Sequence, residues 1–390
     1  MNKRLVAMSV YTAALTQGLC VVSFPASASV LKAALSDAQY GAIFVPQMFA
    51  TIAGSLLASR LGPRAAGGRT LTLALCASAL AELLLAAAAV GGGFAAAACG
   101  TFALGFGFGL SAPALNAWPG RLFPDRAETA LVALHTVLAG GFAFGPALAS
   151  STSGAGIWLA FPLALCVFAL VCAASAGRFV PSTQATHSAV VAAAPAELVP
   201  GTRAAFLAIA LLYALAEGTF ANWAVVYLRE ERALSEPWAA LALTTFWSAL
   251  ALGRLLASAL LVRFAAVTIW RALPLAMALA FLALPFVQGV PAALLGFAFA
   301  GLACSAFFPL TVSLGAASFA GGAARASSLL TAALMVGVGV GSFVIGPLRG
   351  AASLSALYQV SAVYPLVALG LCVWVTTAVK RLSHPGVADS

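Results

Sequence analysis

The stretch that decides the fold is Tyr213-Ala-Leu-Ala-Glu-Gly-Thr-Phe-Ala-Asn-Trp223, which a short charged loop separates from a second apolar segment carrying Gly253-Arg-Leu-Leu-Ala-Ser258. Both segments are long and apolar enough to cross a bilayer, yet each contains a charged residue, Glu217 in the first and Arg254 in the second. A charge at this depth costs several kcal/mol unless it is partnered or hydrated. We therefore predict two membrane helices here, with Glu217 and Arg254 as functional candidates.

The composition of the whole chain agrees with that prediction. The 390 residues are 63% hydrophobic and only 7% charged, with a mean hydropathy of +1.06, which lies far outside the range of soluble domains. Lipid offers the backbone no hydrogen-bond partners, and the apolar runs lack the alternation of barrel strands, so we predict an all-α integral membrane protein. The net charge of +9 comes from basic residues in breaks between apolar runs, and we interpret it as topology rather than nucleic-acid binding. The seven cysteines lack metal or redox spacing, so we expect no metal and no cofactor.

A membrane helix needs about 20 apolar residues, and twelve windows meet this requirement: 5–29, 38–59, 70–90, 94–117, 128–150, 156–177, 204–228, 237–262, 270–288, 291–315, 327–348 and 355–379. The first window follows Lys3 and Arg4 and could be mistaken for a signal peptide. Because its apolar run exceeds an ordinary signal core, we interpret it as the first span.

Basic residues are distributed unequally between the two sides of these spans. With the N-terminus in the cytoplasm, 14 of the 19 lysines and arginines fall on the cytoplasmic side and four on the opposite side, while Arg254 lies within a span. This excess predicts that both termini are cytoplasmic. We expect a monomer in the cell (inner) membrane.

One long break, rich in Ala, Pro, Thr and Ser, divides the windows into six and six. It predicts an N-terminal bundle over 1–177, a cytoplasmic linker over 178–203, a C-terminal bundle over 204–380 and a cytoplasmic tail over 381–390. The halves also match at an offset near 200, where Ala14-Leu-Thr-Gln-Gly18 corresponds to Ala214-Leu-Ala-Glu-Gly218, and Gly54-Ser-Leu-Leu-Ala-Ser59 to Gly253-Arg-Leu-Leu-Ala-Ser258. The common order and offset predict two pseudo-symmetric six-helix bundles.

Two motifs carry a family resemblance. The loop after the second window fits the pattern Gly-x-Leu-Ala-Asp-Arg-x-Gly-Arg approximately, with Ser59 in place of the acid and matches at Ala58, Arg60, Gly62 and Arg64. The fifth window carries Gly141-Phe-Ala-Phe-Gly-Pro146. Together with the six-plus-six arrangement, these motifs resemble the major facilitator superfamily over essentially the whole chain. The stretch from Tyr213 to Arg254 is similar to sugar-type members related to the fucose–proton symporters.

The resemblance implies a major facilitator fold that works by alternating access, with the substrate cavity between the two bundles. Spans 1, 4, 7 and 10 would line the cavity, spans 2, 5, 8 and 11 would form the seam between the bundles, and spans 3, 6, 9 and 12 would lie outside.

Glu217 lies about 13 residues into its window, roughly 20 Å from the cytoplasmic end and near the midplane. Desolvation favours the neutral form of an acid at this depth, so we predict that Glu217 gains and loses a proton during the cycle. The alternative is a permanently neutral or ion-paired acid that fixes packing. Tyr213 lies one turn before Glu217 on the same helical face. Gly218 could loosen the helix and bring Asn222 toward the cavity. Trp223 either stacks on substrate or anchors the span at the membrane interface.

Neutral polar groups complete the predicted substrate site. Gln17 occupies in the first span the position that Glu217 holds in the seventh, Gln47 lies in the second span, and Asn116 closes the fourth. Amides both donate and accept, which suits a polar solute, but interhelical hydrogen bonding would explain them equally. Glu82 is also near mid-depth, in a span that the resemblance places outside, and we expect no transport role for it.

A cytoplasmic gate is predicted around Arg254, roughly 12 Å from the end of its span, and His135, about 10 Å into the fifth. The resemblance places these two spans face to face, and Glu128 joins them. His135 titrates near neutral pH and is a second candidate for proton coupling. Alternatively Arg254 pairs with Glu217 or extends toward lipid head groups. The gate also takes in the basic loop residues Arg60 and Arg64.

We therefore predict a secondary active transporter of a small polar, sugar-like solute, driven by protons. The alternative is a drug or metabolite efflux antiporter, which the Gly-Pro motif of the fifth span favours. A transporter-like membrane sensor or enzyme is disfavoured because the chain has no HExxH and no paired acids at catalytic spacing, and it lacks the GxxxxGK[ST] loop needed for ATP drive.

Overall fold

A computed structural model describes residues 2–182, 201–319 and 322–383, and the secondary structure within these ranges is helical, with no β-strand. Eleven of the described helical segments are long and apolar enough to cross a membrane. The longest, Gly68–Leu122, is two helices joined at a kink, where Val90 and Gly91 leave the helical conformation and Gly91 adopts a φ of 125°. Division at this kink gives the predicted twelve helices. Most of the predicted linker and tail lies outside the described ranges, so the domain boundaries stay predictions.

Within each half, the helices follow one another with short connections. Those of the N-terminal half are α1 Lys3–Val21, α2 Phe44–Leu61, α3 Gly68–Ala87, α4 Gly93–Leu122, α5 Ala127–Gly154 and α6 Ala160–Phe179. Those of the C-terminal half are α7 Thr202–Glu230, α8 Glu236–Leu260, α9 Ala266–Ala283, α10 Gly289–Cys304, α11 Gly322–Leu348 and α12 Val363–Ser383. Shorter pieces extend four of them: Ser23–Ala26 and Ala28–Lys32 after α1, Asp37–Ala42 before α2, Phe307–Gly315 after α10, and Leu354–Ser361 before α12.

Because successive helices reverse direction and their number is even, both ends of the described chain lie on one face. We call this the near face. The opposite face, which carries Lys32, Glu230 and Arg349, is the far face.

The outer surface of the molecule is apolar. Large exposed hydrophobic side chains lie along α3, α6, α9 and α12, among them Leu80, Leu83, Val167, Val171, Leu279 and Val367. Lipid would cover such side chains in a bilayer. Their position agrees with the implied outer placement of these four helices.

The two halves repeat the same close helix contacts. A Cβ atom added to Gly18 of α1 would lie 2.2 Å from the Leu138 carbonyl oxygen of α5, and one added to Gly218 of α7 would lie 2.9 Å from the Val338 carbonyl oxygen of α11. Gly18 and Gly218 are 200 positions apart, the offset found in the sequence. The halves are therefore related in packing as well as in sequence.

The two bundles meet along two seams, α5 against α8 and α2 against α11. In the first, the rings of Phe142 and Trp247 lie 4.9 Å apart. In the second, Met48 packs against Gly339. Helices α2 and α8 are equivalent under the repeat, and so are α5 and α11, so each seam packs an α2-type helix of one bundle against an α5-type helix of the other.

The seams are closed at the far face by polar contacts between the bundles. Lys32 lies 3.7 Å from Glu230, and Arg349 lies 3.7 Å from Asp37. The Tyr40 hydroxyl donates to the Asn222 carbonyl oxygen at 2.8 Å. The described structure is therefore sealed on this side.

Candidate functional site

Glu217 lies at the middle of α7, a helix of 29 residues. The residues around it on α7 are largely buried, whereas the side chain of Glu217 is only partly buried. Its carboxyl group lies within electrostatic reach of the Arg254 guanidinium and of the Tyr213 hydroxyl. The charges of the two residues singled out in the sequence therefore act on each other.

A break in α10 supplies backbone acceptors for this group. The helix ends at Cys304 and resumes at Phe307. Pro309 lacks an N–H, so it cannot donate to the Ser305 carbonyl oxygen four residues earlier. The Nε of Arg254 donates to that oxygen at 3.3 Å.

Tyr213 is held at the same break. Its hydroxyl donates to the Cys304 carbonyl oxygen at 3.1 Å, and its ring stacks on that of Phe308 with 6.1 Å between centroids. Tyr213 is buried, so its orientation is fixed by packing and by this bond. The Tyr213 hydroxyl and the Arg254 guanidinium, which both act on Glu217, therefore bind consecutive carbonyl oxygens at the break that ends α10.

Across the seam, α5 presents a second polar pair. Nε2 of His135 lies 3.1 Å from Oδ1 of Asn116 on α4, and both side chains are exposed. The charge of Arg254 also acts on His135. The charge of Arg254 therefore acts on an acid of its own bundle and on a histidine of the other bundle, while the predicted gate and the predicted pairing of Arg254 with Glu217 both stay predictions.

The remaining polar residues predicted for the substrate site lie elsewhere. Gln17 is fully buried, with Oε1 accepting from the Ser78 hydroxyl at 3.3 Å, and Gln47 is partly buried on α2. Asn222 and Trp223 both bind Ser342 of α11: Nδ2 of the asparagine donates to Oγ at 2.6 Å, and the indole N–H of the tryptophan donates to the carbonyl oxygen at 3.0 Å.

Trp223 is fully buried and meets Tyr40 edge to face, 5.1 Å between centroids. It therefore belongs to the packing of the closed far side in this conformation, not to an exposed surface. Of the predicted gate residues, Arg60 and Arg64 are exposed on the near face. Glu128 lies in α5, but its side chain is outside the part of the structure that is described.

Two residues of α8 were missed by the sequence analysis. Thr244 and Trp247 lie on the same helical face as Arg254, and the Thr244 hydroxyl and Trp247 indole nitrogen are buried with no hydrogen-bond partner among the described residues. Thr244 lies three residues before Trp247, which lies seven residues before Arg254, and this helical spacing was the signal that could have identified them.

Comparisons with known proteins agree with this architecture. The chain is 27% identical over 267 residues to the uncharacterized transporter y4wD of Sinorhizobium fredii, covering 66% of this chain and 68% of that protein. A crystal structure of a mutant of the nucleoside transporter NupG superposes with a TM-score of 0.75 at 14% identity, covering 95% of this chain and 99% of that one. The fold is that of the major facilitator superfamily.

A second solved structure has the same major facilitator fold. It is a bacterial homologue of the human lysosomal transporter Spinster in an inward-facing, unoccupied conformation, with a TM-score of 0.70, 13% identity and coverage of 97% of both chains. No protein-family model matches the sequence. The predicted all-α, two-bundle architecture is confirmed.

Proposed function

We propose that this protein is a secondary transporter that moves a small polar solute by alternating access and is driven by protons bound at Glu217. The observation that carries the proposal is the group formed by Glu217, Arg254 and His135. It sets a mid-helix acid within electrostatic reach of an arginine whose charge also acts on a histidine of the opposite bundle. The names of the relatives, all of them transporters and none an enzyme, support the general function.

The chemistry of this group suits coupling. When Glu217 is ionised, Arg254 is its only cationic neighbour among the described residues, and the pair resists separation in a medium of low dielectric. A proton on Glu217 removes that attraction and leaves Arg254 held by the Ser305 carbonyl oxygen. The attraction to Glu217 then no longer restrains the rest of the Arg254 guanidinium, so protonation of Glu217 changes the charge at the seam between α5 and α8.

The orientation in the membrane follows from charge. We place the near face in the cytoplasm because 14 of the 19 basic residues fall on that side. The sealed far face and the exposed His135 and Asn116 then correspond to an inward-facing state. The solute is proposed to be sugar-like or a related metabolite, since amide, hydroxyl and carboxyl groups in the region offer both donors and acceptors.

The decisive experiment uses protein reconstituted in liposomes. Counterflow with sugars, nucleosides, amino acids and lipophilic cations identifies the solute, and exclusive transport of lipophilic cations would replace our proposal by the drug-efflux alternative. With the solute known, Glu217→Gln should abolish accumulation driven by a pH gradient and retain exchange without a gradient. Glu236→Gln, at an acid in the first turn of α8 on the far face, is the matched control. Wild-type accumulation by Glu217→Gln would refute proton coupling at this residue.

The role of the seam is tested separately. Arg254→Gln and His135→Ala should each slow exchange, because each removes one partner of the proposed electrostatic interaction between the bundles while Glu217 is intact. Unchanged exchange in both variants would leave no gating role for the pair.

A further inference from the structure

Glu82 of α3 is a second acid within the membrane helices, and the proposed transport site does not use it. Its side chain is 0% exposed, inside the N-terminal bundle. The titratable groups that face it are Cys20 at the end of α1 and Cys166 of α6. Among the described residues, no lysine, arginine or histidine forms an ion pair with it.

The hydrogen bonds around Ser23 show where a proton must be. The Ser23 hydroxyl oxygen lies 2.8 Å from the Cys20 carbonyl oxygen and 2.9 Å from Oε1 of Glu82. A hydroxyl has one hydrogen and a carbonyl oxygen can only accept, so both contacts are full hydrogen bonds only if the hydroxyl donates to Cys20 and accepts from Glu82. The contact between the oxygens of Ser23 and Glu82 then requires a hydrogen from the carboxyl group.

We propose that Glu82 holds a resident proton, which it donates to the Ser23 hydroxyl, and that this proton joins α1 to α3 and is not transported. The cost of charge supports the same assignment. An ionised carboxylate without a counter-charge in a dry interior is strongly unfavourable, whereas a neutral, hydrogen-bonded acid is tolerated.

The surroundings of Glu82 explain why its proton stays in place. One turn away, the Ser78 hydroxyl oxygen lies 3.3 Å from Oε1 of Gln17 and 3.2 Å from the Ala74 carbonyl oxygen, a second neutral contact between α1 and α3. Glu82 is 0% exposed, and its side chain forms a hydrogen bond with Ser23. Proton exchange at Glu82 therefore requires opening of the α1/α3 contact inside one bundle, whereas alternating access moves one bundle against the other.

Infrared difference spectroscopy tests the assignment directly. Comparison of wild type with Glu82→Gln in lipid nanodiscs should show the C=O stretch of one protonated carboxylic acid, present unchanged between about pH 5 and about pH 9, a range in which an ordinary glutamate is ionised. A carboxylate signal at neutral pH would overturn the proposal. Loss of the acid band on addition of sodium would also overturn it, because the neutralising cation would then be a metal ion.

Transport measurements test the claim that the proton is resident. Glu82→Gln should keep the wild-type ratio of protons to solute, since an amide N–H can replace the acid as donor to Ser23. Loss of coupling in this variant would refute the claim, and loss in Glu217→Gln alone would support it. Should Glu82→Gln fold poorly, Ser23→Ala serves instead: it keeps the acid and should shift the C=O band because the acid loses its acceptor, and an unshifted band would contradict the predicted bond.

Discussion

Asp37→Asn should shift the protein toward conformations open at the far face. Asp37 in the N-terminal half contacts Arg349 in the C-terminal half at 3.7 Å, and the two side chains are 29% and 15% exposed. At this distance Coulomb's law gives about 4.5 kcal/mol for an effective dielectric constant of about 20 and about 1 kcal/mol in water. Screening and desolvation place the net value of such a partly exposed pair at about 1 kcal/mol.

Loss of about 1 kcal/mol corresponds to a roughly fivefold change in the ratio of open to closed molecules. The contacts of Arg349 within its own half are shorter, 2.7 Å to Glu230 and 2.8 Å to Glu231. Asp37→Asn leaves both intact, so the C-terminal half should keep its local order. Asp37 also forms an ion pair with Lys32 of its own half. Lys32, released by the substitution, can still interact with Glu230, which limits the shift.

The assay is electron paramagnetic resonance between spin labels on opposite halves. Labels at cysteines replacing the exposed Ala34 and Ala351 report the width of the far face, in a background without the seven native cysteines. Asp37→Asn should increase the long-distance population about fivefold. Glu236→Gln breaks an ion pair with Arg229 inside one half and should change it little.

A double-mutant cycle identifies the partner. In a protein already carrying Arg349→Gln, Asp37→Asn should have a much smaller effect. An effect of equal size in that background, or an equal shift in the Glu236→Gln control, would refute the reasoning.

Three further predictions concern stability. Burial raises the pKa of Glu231, but hydrogen bonds from Ser355 and from backbone N–H groups, together with a nearby arginine, outweigh burial and hold the pKa below its usual range. The resulting stabilisation is present above about pH 4.3 and is lost as pH falls through the lower pKa of the folded state. Glu231→Gln should therefore make the melting temperature depend less on pH in this acidic range. Gly18→Ala should destabilise by about 1–3 kcal/mol because its Cβ meets a backbone carbonyl, whereas Gly140→Ala, with no atom within 4 Å of its Cβ, should not, as thermal unfolding in detergent will show. Trp223→Phe should cost about 1 kcal/mol through its lost hydrogen bond and leave KM for the transported solute within about twofold; a large rise in KM would instead restore the predicted substrate contact.

The architecture was accessible from the sequence because it depends on patterns that run along the chain. Apolar length defines membrane helices whatever their partners, and the match of Gly18 with Gly218 revealed a repeat that the packing preserves. The depth of Glu217 followed from its count along α7. These quantities need no knowledge of how a helix is rotated.

Rotation and distant pairing were not accessible. Depth alone did not reveal that Gln17 turns toward Ser78, or that Trp223 turns toward α11. The ion pairs at the far face join residues that lie far apart in the sequence, such as Asp37 and Arg349. The sequence of a short charged loop does not indicate which distant residue it will contact.

The break in α10 makes the position of Arg254 depend on Pro309, a residue that carries no charge. Pro309 withholds the N–H that would otherwise occupy the Ser305 carbonyl oxygen, and Arg254 binds the oxygen left over. Any side chain at position 305 would offer the same carbonyl, but any residue other than proline at position 309 would compete for it. The electrostatics at the centre of the protein can therefore be changed by a neutral substitution on a different helix, with every ionisable group left in place.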